Sequence, residues 1–285
     1  MSTGLPQPGA VWRPAVFSLF FLAASIAVYL SLIRSETGQR FDASTFGAVV
    51  WVRDSIGPWS ELLRDVITVV AGVILLVFLT VALVKQRLSD ATSAAAVAAL
   101  SLAVCTVLKN IIDRPFLGEY GYLVNTFPSS RAAVTVGALI GAYWLLPARF
   151  KHPALLLPLV VIGAGAGLFQ VVSYAHRLSD SLGGALIAGL LAALFVGRGG
   201  GLSVAWRWVL WSLVVVLAVL AIGCLVSWEA SGYATGQQMV GTLGILLASG
   251  ACVTAALAVG AERSGRRVLR AGDEEQRLEV PTGRS

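Results

Sequence analysis

Apolar runs of roughly 18 to 22 residues return about every thirty positions along this chain, and no other feature limits its folding so strongly. A helix of that length crosses the ~30 Å hydrocarbon core of a bilayer, and it satisfies its own backbone hydrogen bonds in lipid. With 57% hydrophobic residues, 13% charged residues and a mean hydropathy of +0.81, the apolar surface exceeds what a water-soluble core can hide. The chain therefore reads as an all-α integral membrane protein, a polytopic helical bundle of about eight spans. These fall near residues 14–33, 66–84, 91–109, 132–149, 154–173, 180–197, 206–228 and 238–260. An even number puts both termini on one side. The first run is too long for a signal peptide and lacks a small-residue cleavage site, so it is expected to be retained.

Basic residues are spread almost evenly over the two sides of such a bundle. Four of them, Lys109, Arg114, Arg131 and Arg177, crowd into two loops that also carry Asp113, His176 and Asp180, which marks a site. Leaving those four aside, the positive-inside rule makes the side of the termini cytoplasmic and the site extracytoplasmic, in a multi-pass protein of the plasma membrane. The net charge of +6 is explained by loops flanking spans, so nucleic acid is not an expected partner; the bilayer is. Cys105, Cys224 and Cys252 each fall inside an expected span without metal-ligand or redox spacing and read as packing residues. Residues 35–65 read as an external loop, either at the surface or lying at the interface with Trp51 and Trp59 at headgroup level. The spans at 206–228 and 238–260 are nearly free of polar residues and read as scaffold. The polar segment 263–285 reads as a disordered cytoplasmic tail.

Alternation of the spans brings Lys109, Arg131, His176 and Asp180 to one membrane face. Cations beside one histidine and one aspartate suit an anion, most naturally phosphate. The backbone amides of Ser129, Ser130 and Arg131, at the start of a span, add a helix N-terminus to that anion site. His176 and Asp180 lie four apart and share a face if the helix of the sixth span begins early, so the carboxylate can fix the imidazole tautomer and leave the other nitrogen free to attack. An isolated histidine at a span end would read as structural; its company here favours a site.

The order LKNIIDRP, FPSSRAAVTVGA, SYAHRLSDSLGGAL resembles the type 2 phosphatidic acid phosphatase superfamily of membrane lipid phosphatases over roughly residues 60–200. The resemblance implies a six-span core within residues 1–200, its motifs between 109 and 184, with two additional transmembrane helices in 201–262. It also implies that His176 is the nucleophile forming a phosphohistidine, Asp180 orients it, Lys109 binds phosphate and Ser129 contributes to the phosphate cradle. Arg114 occupies a slot near the first motif's arginine, whose own position holds Phe116. The glycine and histidine of the second motif are replaced by Ser130 and Arg131, and the serine and arginine that open the third by Phe169 and Gln170. The family works without a metal or other cofactor, and none is expected here.

Arginine cannot act as the missing general acid, because its pKa lies far above working pH, but it can stabilise anionic charge. A diphosphate substrate expels a phosphate ester that needs little protonation, so a lipid diphosphate such as a polyprenyl diphosphate is expected over a monophosphate. The alternative is a catalytically inactive relative that binds a lipid phosphate or a partner membrane protein. Span centres almost devoid of charge argue against a transporter.

Overall fold

A computed structural model describes residues 13–117, 124–147, 150, 156–195 and 235–279. Among them every element is helical and no strand forms. Helix α1 (Arg13–Val28) runs on into a π-helical turn, Tyr29–Ile33, and is followed by α2 (Glu36–Ile56), α3 (Trp59–Val84), α4 (Leu88–Ile111) and α5 (Ser130–Leu145). Then come α6 (Leu156–Val172), α7 (Leu178–Phe195) and α8 (Thr235–Glu279).

Among the described residues five stretches are long and apolar enough to cross a membrane: Ala15–Ile33, Trp59–Val84, Leu88–Ile111, Leu178–Phe195 and Gly236–Ala258. The outward face of α3 carries exposed Val69, Val73, Leu76 and Val77, a surface suited to lipid rather than water. Helices α5 and α6 have 16 and 17 residues, a rise of only about 24 to 26 Å. Helix α5 needs no lipid-spanning length of its own, because every residue from Thr135 to Leu145 is buried among its neighbours. The expected span at 206–228, with Cys224, lies outside the described residues. Cys105 and Cys252 are free and buried.

Residues 35–65 do not form the loop expected from their mixed charge. Ser35 caps α2, its hydroxyl accepting from the Gly38 amide at 3.0 Å, and Glu36 sits in the first turn where a negative charge favours the helix dipole. Gly38, Phe41, Asp42, Thr45, Ala48 and Val49 are buried at helical spacing, while Glu36, Arg40 and Asp54 stay outside. Gly57, at φ +52°, ends α2 in a conformation that L side chains resist, and Pro58 opens α3. Trp51 is tied to another helix. Its indole N–H donates to Thr242 of α8 at 3.0 Å, and the Thr242 hydroxyl donates to the Ala48 carbonyl at 2.8 Å.

Helices α5 and α7 form the centre, with α4 and α3 against α5, α1 against α7, and α8 packed on α7, α6, α2 and α5. Helix α8 is thus part of the core, burying Ile245, Ala248, Cys252, Ala256 and Leu257. Its backbone stays helical through Glu279, into the segment whose composition reads as a disordered tail.

Candidate functional site

The site is built where α4 ends, α5 begins and α6 turns into α7. Ser129 opens α5: its hydroxyl accepts from the Ala132 amide at 3.3 Å and donates to Gln170 Oε1 at 3.0 Å, and its own N–H donates to the Asp180 carbonyl at 2.8 Å. A Cβ on Gly184 would sit 2.3 Å from the Ser129 carbonyl, so only glycine lets α7 approach this closely. The Gln170 carbonyl accepts from the His176 amide at 3.2 Å, so a single glutamine ties the start of α5 to the turn carrying the histidine.

That turn is held in a sparsely populated conformation. Tyr174 has φ +55°, a costly value for a residue other than glycine. It is braced from α2, where the Arg53 guanidinium lies 4.0 Å over the Tyr174 ring, Phe46 packs against the ring, and Arg53 donates to the Val172 carbonyl at 3.2 Å.

His176 is 8% exposed, and its Nδ1 stands 3.6 Å from Asp180 Oδ2. Asp180, fully buried at the third position of α7, reaches back to the Arg177 amide at 3.0 Å in the manner of a capping box. Its Oδ2 also accepts from the Thr126 hydroxyl at 2.6 Å, and its Oδ1 from Arg114 at 3.0 Å. The other arm of Arg114 pairs with Asp42 of α2 at 3.1 Å. Asp42 in turn accepts from both the amide and the hydroxyl of Ser179. The result is a buried aspartate–arginine–aspartate bridge, with every side chain at most 2% exposed. Desolvation pushes the Asp42 carboxyl up to about 6, the nearby charge of Asp180 adding to the rise and Arg114 and Ser179 opposing it.

Three of the residues expected to grip phosphate have partners elsewhere. Arg114 is consumed by its two carboxylates, and Arg131 turns outward to Asp65 of α3 at 3.1 Å, where Arg64 also pairs. Ser129 is wholly buried and spends its hydroxyl on the helix cap and on Gln170. Lys109 keeps the expected place: its ammonium donates to the Ser130 hydroxyl at 3.3 Å, and Asp180 and Arg131 are both near enough to act on its charge. His176, Asp180, Lys109, Ser129 and Ser130 therefore converge, while Arg131 points away.

Sequence reading missed Asp42, Thr126 and Arg53. Asp42 carries a signal only in hindsight, as a lone acid on the face of α2 that holds Phe41, Thr45 and Val49. Among the described residues no group of three or more His, Cys, Asp or Glu side chains is arranged to hold a metal ion. The two close carboxylates share the single positive charge of Arg114. Compared with known protein families, curated proteins and solved structures, the chain matches none.

Proposed function

We propose that this chain is a membrane lipid phosphatase or phosphotransferase, with His176 as nucleophile and a lipid polyphosphate such as a polyprenyl diphosphate as substrate. The observation that carries the reading is the convergence of a buried imidazole, a buried carboxylate and the Lys109–Ser130 pair beside the N-terminus of α5. In the proposed reaction Nε2 of His176 attacks phosphorus as the bond to the leaving oxygen breaks. Water then attacks the phosphohistidine, releasing phosphate and restoring the imidazole. Asp180 holds the Nδ1 side of the ring, and Lys109 with the first amides of α5 neutralises the phosphoryl oxygens. With arginine where the resembled family keeps its acid, a diphosphate with its good leaving group is the better substrate. The same reading puts the site at the extracytoplasmic face of the plasma membrane, in a chain of eight spans with both termini in the cytoplasm.

A specific observation favours the second reading, a non-hydrolytic binder of lipid phosphate: Arg114 and Arg131 are both already paired with carboxylates. Phosphate release from a panel of lipid mono- and diphosphates, by the purified protein in detergent beside His176→Ala, decides between them. Release that disappears in the variant supports the enzyme. Thermal stabilisation by a lipid phosphate without release supports the binder, and release that survives His176→Ala overturns the assigned nucleophile.

A further inference from the structure

We propose that Asp42 is a positioning residue for His176, acting through Arg114 and Asp180. The nucleophilic role of His176 rests on the function proposed above; the orientation of its ring does not. Arg114 presents two terminal nitrogens. One binds Oδ1 of Asp180 at 3.0 Å and the other binds Oδ2 of Asp42 at 3.1 Å. A guanidinium facing a single carboxylate prefers to take both oxygens at once. Asp42 prevents this by taking one arm of the fork.

The consequence falls on Oδ2 of Asp180. That oxygen already accepts from the Thr126 hydroxyl and the Arg177 amide, and His176 Nδ1 faces it at 3.6 Å with no hydrogen-bond partner of its own. A bidentate Arg114 would add a competing donor there and leave the imidazole without an acceptor. Asp42 itself cannot swing aside, because the amide of Ser179, at 2.9 Å, and the Ser179 hydroxyl both hold it. Helix α2 thereby keeps an acceptor open for Nδ1–H, which leaves Nε2 as the nitrogen with a free lone pair.

The ring tautomer reports this directly. The chain has two histidines, so the full-length protein carrying His152→Gln, labelled with 15N-histidine in detergent micelles, shows His176 alone by long-range 1H–15N correlation. The neutral ring is expected as the Nδ1–H tautomer, and Asp42→Asn is expected to shift it towards Nε2–H. Ser179→Ala, which removes the hydroxyl but leaves the Asp42 charge on Arg114, is expected to keep Nδ1–H. On any lipid phosphate that the chain hydrolyses, Asp42→Asn should lower kcat about tenfold or more, with KM held within about twofold. If Asp42 only staples α2 to α7, Asp42→Asn and Ser179→Ala both lower Tm and neither moves the tautomer, which overturns the proposal. An Nε2–H ring in the otherwise unaltered chain overturns it as well, even if Asp42→Asn does not accumulate. A tautomer shift without any phosphate release sustains the positioning role and removes the phosphatase reading alone.

Discussion

Asp42 and Ser179, 137 positions apart, are joined twice, through the backbone amide and the hydroxyl of the serine. A carboxylate from one helix thus satisfies an orphan amide in the first turn of another, where the helix dipole also favours negative charge. The same carboxylate shares Arg114 with Asp180. Charge and helix ends are therefore set together, and the following expectations test that coupling and the chemistry beside it.

Arg114→Met leaves two buried carboxylates facing one another without a cation. Breaking a buried ion pair from one side costs about 3 to 5 kcal/mol, and chemical unfolding in detergent should show a loss of that order. Adding Asp42→Asn and Asp180→Asn to the same variant should recover part of it. A loss within error of zero for Arg114→Met would mean that the bridge contributes nothing to the fold.

The bridge also predicts a pH dependence. Asp42 has its carboxyl raised from 3.8 to about 6 in the folded protein, so the folded state binds a proton that the unfolded state has already released. This contribution is complete below about pH 3.8 and is lost as pH rises through about 6. The thermal stability of the unaltered chain should accordingly fall as pH rises between those values relative to Asp42→Asn, which cannot titrate there. Parallel pH profiles for the two proteins would contradict the raised carboxyl.

Arg131→His introduces a group that can protonate a leaving alcohol, in place of one tied to Asp65. General acids contribute about 10²- to 10⁴-fold. Turnover of lipid monophosphates relative to diphosphates should rise by about tenfold or more in this variant. A ratio that stays put removes the leaving-group argument for a diphosphate.

Gly57 turns the chain from α2 into α3 at φ +52°, and a Cβ there would meet no other atom. Gly57→Ala therefore isolates backbone strain, of order 1 to 3 kcal/mol, without a steric clash. A variant as stable as the parent would show that the turn relaxes freely.

Much of this arrangement is legible in the sequence because it is local. The Pro-Ser-Ser sequence before an apolar run marks the start of α5, and the short spacing of His176 and Asp180 lets them meet, although the histidine stands in the turn before α7 and not on a shared helix face. The pairs that decide what the cations do are not local. Arg114 meets Asp42 and Asp180 across 72 and 66 positions, and no periodicity announces either contact. Helix α2 was hidden for a related reason: its buried face includes Gln39, Asp42 and Thr45, which read as surface residues until their partners are known. Arg131 is the reverse case: a cation beside an anion site reads as a ligand, and its pairing with Asp65 on a neighbouring helix is not legible from the sequence.

The docking of α8 on α2, through Trp51 and Thr242 across 191 positions, sets an order of events for a chain made from its N-terminus. The helix that steadies the site is synthesised well before the surface it rests on. Ala48, which meets Gly241 and Thr242 of α8, must wait uncovered until that helix emerges, so a ribosome that stalls before α8 leaves a chain whose inner wall is open to chaperones and proteases.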